Sequence, residues 1–282
     1  MIIDVRQIWE ETTNLLEKVY ERREAENISY ILFEDIFHIS KTDFLTREKR
    51  DIDRVLLNGY LKRLLDREPI QYVTGKVEFY ERLFAVHPGA LIPRPETEEL
   101  VALILKENEI VEPNILEVGV GSGCIAISLA LETGGNVIAT DISNDAIATA
   151  KLNAEDLGAP ISLLKHDVLS SKLPVSDLDI LVSNPPYIPE VDKRKMDANV
   201  LDYEPQEALF VPDENPLMFY KRIAEEGKKA LKKGGKLYFE IHERFGIEMK
   251  DLLRSLNYIE VEVHQDMQGK DRMVSATNST NK

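Results

Sequence analysis

Apolar residues in the N-terminal part of the chain recur at helical spacing. Val5, Ile8, Trp9, Leu15, Leu16, Val19 and Tyr20 approximate an i, i+3, i+4, i+7 stripe. A second apolar stretch covers 28–37, and a third pattern, Ile52, Val55, Leu56, Leu64 and Leu65, ends before Pro69. Such stripes predict the mutual core of a small helical bundle, with Trp9 packed inside it. Between Gly75 and Pro95 the period drops to alternation, and segments 76–80 and 83–86 predict a hairpin about Glu81-Arg82. Pro88-Gly89 and Pro93-Arg94-Pro95 then act as turns and breaks. This stretch holds apolar residues and no Gly/Ser run, so it reads as an ordered connector.

From Thr97 onward, strand and helix patterns alternate. Strands are predicted at 114–118, 136–141, 161–166, 178–184, 236–241, 258–265 and 272–277, and helices at 97–106, 125–131, 145–157, 216–231 and 244–256. Ser143 and Gly158 suit the N-cap and C′ positions of the third helix. The alternation implies an α/β fold, a mainly parallel seven-stranded sheet with helices on both faces. The last two strands are joined by 267–271, too short for a crossover, so they should pair antiparallel. The polar tail from Thr277 is expected to be disordered. The expected division is a helical domain at 1–74, a hairpin connector at 75–95 and a larger domain at 96–282.

Composition narrows the possibilities. The formal charge of −15 argues against broad nucleic-acid binding, which needs Lys and Arg to neutralise phosphates. The triplet Lys193-Arg194-Lys195 reads as a solvated loop. Residues 1–11 include acidic residues early and no apolar h-region, and no apolar run approaches the roughly 20 residues that span a bilayer. One cysteine, Cys124, excludes an intramolecular disulfide, and the histidines lie apart without ligand spacing. No metal and no membrane association are expected, and the cytoplasm is the default compartment. Cys124 itself reads as a small buried residue.

Two segments carry candidate chemistry. Residues 178–187 read L-D-I-L-V-S-N-P-P-Y, an apolar strand running into Asn184-Pro185-Pro186-Tyr187. Pro185 and Pro186 have no backbone N–H, and each restricts the residue before it to extended conformations. The carbonyls of Asn184 and Pro185 therefore stand without neighbouring donors, beside the Asn184 amide and an aromatic ring. That surface suits a planar NH₂ group, although a strand stopped by two prolines would read the same. The second segment is Glu117-Val118-Gly119-Val120-Gly121-Ser122-Gly123, which ends the first sheet strand and opens a helix. Its glycines let a ligand approach the backbone closely. Gly121 to Ala126 also satisfies the dinucleotide pattern G-x-G-x-x-A, and Asp141, about twenty residues on, would suit a ribose hydroxyl with either ligand. Glu117 repels a pyrophosphate but could attract a cationic ligand such as S-adenosylmethionine; equally, it could bond only to neighbouring backbone.

Together, E-x-G-x-G-x-G at 117–123, Asp141 and N-P-P-Y resemble the class I S-adenosylmethionine-dependent amino-methyltransferases. The segments L-I-P-R-P-E-T-E (91–98), E-P-Q-E-A-L (204–209), E-P-I-Q-Y (68–72) and Asp266-x-x-Gly269-x-x-Arg272 look like motifs of one branch. That branch is the protein-(glutamine-N5) methyltransferases of peptide-chain release factors, and the resemblance covers nearly the whole chain. It implies a Rossmann-like sheet, S-adenosyl-L-methionine as cofactor, release factors as partners, and the glutamine of their Gly-Gly-Gln motif as acceptor. It implies catalysis by Asn184 and Pro185, with Pro186 and Tyr187 also holding the substrate. Cofactor binding would fall to Glu117, Gly119, Val120, Gly121, Ser122, Gly123, Asp141, Asp167, Val168, Asn184 and Arg94, and substrate recognition to the helical domain. The chain departs from the family at Glu117, where Asp is usual, and at Glu240-Ile241-His242-Glu243-Arg244-Phe245, where E-I-G-x-x-Q is usual. A nucleic-acid amino-methyltransferase, the related glutamine methyltransferase of a ribosomal protein, a dinucleotide-dependent oxidoreductase and a non-catalytic binding module are the competing readings.

Overall fold

The computed structural model describes residues 2–279. The chain divides into two compact units, Met1–Lys76 with Asp197–Tyr203, and Val77–Met196 with Glu204–Lys282. The first contains β1 (Ile2–Asp4), α1 (Val5–Leu16), α2 (Arg22–Phe37), α3 (Lys41–Thr46), β2 (Lys49–Asp51), α4 (Arg54–Leu65) and α5 (Ile70–Thr74). Side-chain caps start α1, α3 and α4. Asp4 accepts from the N–H groups of Arg6 and Gln7, Asp53 from those of Val55 and Leu56, and Ser40 forms a capping box with Asp43. The first two predicted stripes converge, but the third is corrected: Ile52 and Leu64 are buried, whereas Val55 (84% exposed) and Leu56 (44%) face solvent and Leu57 and Leu61 take the core positions. Ile8, Leu16, Leu32, Phe33, Leu57 and Leu64 are buried together, and Trp9 stacks against Tyr30 at 4.8 Å between ring centres.

The second unit opens with the hairpin β3 (Lys76–Phe79) and β4 (Arg82–Ala85), then α6 (Pro95–Glu107). The hairpin turns at Tyr80-Glu81, one residue before the expected pair. Both turn residues have positive φ, 48° and 60°, the conformation that matches the twist of a two-residue hairpin loop. Next come β5 (Asn114–Val118), α7 (Cys124–Thr133), β6 (Asn136–Asp141), α8 (Asn144–Leu157), β7 (Ile161–Lys165), β8 (Leu178–Ser183) and β9 (Ile188–Pro189). Helix α9 (Ala198–Tyr203) returns to the first unit, where the Tyr203 phenol donates to the Asp66 carbonyl at 2.8 Å. The chain ends with β10 (Phe210–Val211), α10 (Met218–Ala230), β11 (Leu231–Glu240), α11 (Gly246–Ser255), β12 (Tyr258–Gln265) and β13 (Asp271–Asn278).

Seven strands form one sheet in the order β12-β13-β11-β8-β5-β6-β7. The β11, β8, β5, β6 and β7 pairings are parallel, while β13 runs antiparallel to both neighbours, as the short connection required. β8 lies at the centre and every one of its residues is buried. Ile180 and Val182 enter the core under α6 and α7, and Leu181 enters the core under α10 and α11, the period-two alternation of a strand covered on both faces. Ser143 and Gly158 cap α8 as expected. Chain order reverses between β5 and β8, the position where open α/β sheets bind ligands.

The expected tail is corrected. Thr277 and Asn278 are not a loose tail, because they finish β13, and the buried Asn278 amide donates to the Leu231 carbonyl at 3.0 Å. The last part of that expectation, residues 280–282, lies outside the described residues. Residues 193–195 form a 3₁₀ turn in which Arg194 and Lys195 are solvated as expected, with Lys195 paired to Asp192 at 3.0 Å and the Lys193 ammonium 4.4 Å from the centre of the Phe210 ring.

Candidate active site

The register of the two central strands builds the site. Val118 pairs with Ser183, and the Ser183 hydroxyl donates to the Val118 carbonyl at 2.6 Å. The glycine loop and Asn184 therefore leave the sheet side by side. A Cβ on Gly119 would stand 3.8 Å from the Asn184 carbonyl oxygen. Gly119, Gly121 and Gly123 all have positive φ, and the three positions serve different ends. At Gly123 a Cβ would lie 2.9 Å from Ile127 and 3.1 Å from Ala150, so this glycine admits close packing of α7 on α8. Gly119 and Gly121 instead face a cavity of about 310 Å³ at the carboxyl ends of β5, β6 and β8.

Most residues singled out from the sequence line that cavity: Glu117, Gly119, Val120, Gly121, Ser122, Asp141, Asp167, Val168, Asn184, Pro185, Pro186 and Arg94. Gly123 and Tyr187 are not among its walls. Ile92, His166, Glu207 and Phe219 are; Ile92 and Glu207 fall in the motifs at 91–98 and 204–209 without a role of their own, and nothing in the local pattern marks His166 or Phe219.

The carboxylates differ in what they do. Asp141 holds the loop, accepting from the Gly121 N–H at 3.1 Å and the Ser143 N–H at 2.9 Å. Glu117 is buried, and its Oε2 accepts from the Ala126 N–H at 2.9 Å, filling one of the unpaired donors at the start of α7. Burial raises its carboxyl well above the ordinary glutamate range, and nearby Asp141 pushes the same way. The bond from the Ser170 side chain, followed by the Leu169 N–H, holds Asp167 below the ordinary range. Arg94 reaches Glu204 at 2.6 Å, which joins the two distant motifs at 91–98 and 204–209, and Glu204 also takes the Ile92 N–H at 3.3 Å. Cys124 is buried, as expected, and burial raises its thiol.

Beneath Asn184 lies a closed polar chain. Asn184 Nδ2 is 3.4 Å from the Thr97 hydroxyl, which donates to Glu240 Oε2 at 2.6 Å. The Tyr187 phenol donates to the other oxygen, Oε1, at 3.1 Å, and its ring meets His242 edge-on. Glu240 is 1% exposed. Burial raises its pKa above the ordinary glutamate value, against the lowering effect of Thr97, Tyr187 and Arg272. Both Thr97 and Glu240 fall within motifs noted in the sequence, yet neither received a role there.

Two family models match the chain. Residues 7–75 match the PrmC N-terminal domain, and 96–202 match the methyltransferase small domain. The release factor glutamine methyltransferase of Bacteroides thetaiotaomicron is 43% identical over 271 residues, spanning 93% of this chain and 95% of that protein. That of Flavobacterium psychrophilum is 38% identical over 267 residues, spanning 92% and 94%. Among solved structures, a Pyrococcus furiosus methyltransferase superimposes with a TM-score of 0.54 at 19% identity, covering 79% of this chain and all (100%) of that one. The Thermus thermophilus 16S rRNA N2 G1207 methyltransferase, solved with AdoMet and guanosine, gives 0.53 at 13% identity over 72% of this chain and 49% of that one. These two likenesses establish the fold, a class I methyltransferase sheet.

Proposed function

The chain belongs to the release factor glutamine methyltransferases, and on that premise we propose how its residues methylate a glutamine side-chain amide of a peptide-chain release factor, the one in the Gly-Gly-Gln motif. The observation that carries the reading is the β5–β8 register, which sets the donor-free carbonyls of Asn184 and Pro185 against the glycine loop.

The cavity suits S-adenosyl-L-methionine better than a dinucleotide. Beside the buried Glu117, its walls hold three carboxyl side chains, Asp141, Asp167 and Glu207, and one arginine, Arg94, which is already paired with Glu204. A pyrophosphate would meet little free positive charge there, whereas a sulfonium and an ammonium meet a favourable field. When bound, this cofactor supplies a methyl group activated by its positive sulfur. Asp141 and the backbone from Gly119 to Gly121 would hold its ribose and amino-acid parts, with Asp167 and Val168 beside the adenine.

An amide nitrogen is a weak nucleophile because its lone pair is delocalised into the carbonyl. Asn184 Oδ1 and the Pro185 carbonyl accept the two amide hydrogens of the substrate. They thereby orient the nitrogen and stabilise positive charge developing on it, the reverse in sign of an oxyanion hole. Pro186 and Tyr187 keep that surface rigid. The first unit would grip the body of the protein substrate. A release-factor substrate supports a cytoplasmic location; separately, no described helix is long and apolar enough to cross a membrane.

The test supplies labelled S-adenosyl-L-methionine with an unmethylated release factor, with its Gly-Gly-Gln→Gly-Gly-Glu variant, with ribosomal proteins and with nucleic acids. Label should appear only on the unaltered factor. Transfer to nucleic acid, to a ribosomal protein, or equally to the Glu variant would overturn the assignment.

A further inference from the structure

We propose that Thr97 and Glu240 are positioning residues that decide which end of the Asn184 amide faces the acceptor pocket. The inference rests on the acceptor role of Asn184 given above. The oxygen and nitrogen of an asparagine amide are close in size, so shape alone does not select one orientation. Chemistry must select it, because an NH₂ pointing into the pocket would oppose the substrate NH₂ rather than bind it.

The selection follows from counting hydrogens. A threonine hydroxyl has one proton to give and lone pairs to receive, and an ionised carboxylate only accepts. Thr97 lies 2.6 Å from Glu240 Oε2 and commits its proton there. Toward Asn184 it can then offer only a lone pair, and the group 3.4 Å away is Asn184 Nδ2. With Nδ2 turned to Thr97, Oδ1 is the end left for a ligand. Tyr187 secures the other Glu240 oxygen at 3.1 Å, so the carboxylate cannot turn to release Thr97 without losing two bonds. Tyr220 donates to the Glu240 backbone carbonyl at 3.0 Å and pins the strand end from below. The chain Tyr187–Glu240–Thr97–Asn184 thus links the rigid Pro-Pro-Tyr segment back to its own first residue.

The experiment compares Thr97→Val, which keeps the shape and loses the hydroxyl, with Thr97→Ser, which keeps the hydroxyl and loses a methyl. Turnover on the release factor and calorimetric affinity for S-adenosyl-L-methionine are read for both, for Asn184→Ala, and for Thr97→Val combined with Asn184→Ala. Thr97→Val should lower kcat by about ten- to a hundred-fold, the scale for a group that orients a reacting side chain, with cofactor affinity unchanged. Thr97→Ser should restore most of it. In the Asn184→Ala background, Thr97→Val should cost nothing further, because it acts through the residue already removed. Glu240→Gln, which introduces a donor beside Thr97 at the same volume, should also lower kcat.

Wild-type kcat in Thr97→Val, a Ser variant worse than the Val variant, or full additivity in the double variant would overturn the positioning role. Asn184→Ala at wild-type turnover would instead sink the acceptor reading on which it rests.

Discussion

Arg94 and Glu204 stand 110 positions apart in the chain, yet their charged groups meet at 2.6 Å beside the cavity at the carboxyl ends of β5, β6 and β8. The pair is lopsided: the Glu204 side chain is 1% exposed and that of Arg94 33%. Removing Arg94 strands a buried carboxylate, whereas removing Glu204 frees a guanidinium that can reach water. Arg94→Ala should therefore destabilise the protein more than Glu204→Ala. The loss should fall below the about 3–5 kcal/mol of a fully buried pair, because Arg94 keeps part of its hydration. Urea unfolding of both variants checks the order, and equal losses would contradict it.

Asn184→Ala should lower kcat by roughly 10²–10³, the usual scale for one preorganised transition-state hydrogen bond, while cofactor affinity changes less. Steady-state methylation of a release factor together with calorimetry separates the two effects. A loss confined to cofactor affinity would move Asn184 out of the acceptor site.

Asp141→Ala should weaken S-adenosyl-L-methionine binding by two routes, loss of a ribose contact and loosening of the glycine loop that Asp141 holds through Gly121 and Ser143. Asp141→Asn keeps an acceptor for those N–H groups and should weaken binding less. Calorimetric affinity of the two variants gives the order, and unchanged affinity in the Ala variant would remove Asp141 from the site.

Activity should have an acid limb set by Glu240. On the proposed positioning role the orientation of Asn184 requires the ionised carboxylate, and burial shifts its pKa upward against Thr97, Tyr187 and Arg272, with Glu96 adding to the rise. As pH falls through that raised value, Glu240 gains a donor and the Thr97 proton is released toward Asn184. The decline should begin at a higher pH than for a solvent-exposed glutamate, and Glu240→Gln should lack this limb in a pH–rate profile. Stability linked to this group runs the other way. The folded state binds the proton more tightly than the unfolded state, so its contribution is present at low pH and fades as pH rises through the same window.

Much of this could be read along the chain because it is written in short-range patterns. The buried strands are apolar runs, α8 carries both of its caps in Ser143 and Gly158, and the glycine loop and Asn184-Pro185-Pro186-Tyr187 are contiguous. What escaped depends on partners that no local pattern encodes. Lys49-Arg50-Asp51 looks like a charged loop, and it becomes a strand only because Ile2–Asp4 supplies its ladder. Asn278 looks like a tail residue until the Leu231 carbonyl is placed beside it. Thr97 and Glu240 lie 143 positions apart, so a motif can display each of them without disclosing the bond between them.

The pairing of Val118 with Ser183 has an evolutionary consequence. Neighbouring strands in any sheet are held about 4.8 Å apart by their backbone hydrogen bonds, whatever their side chains. The gap between the glycine loop and Asn184, proposed to serve donor and acceptor, is therefore inherited from the sheet, like the ruling on a page. Substitutions around the rim can change what is brought to Asn184 without altering how far a methyl group must travel.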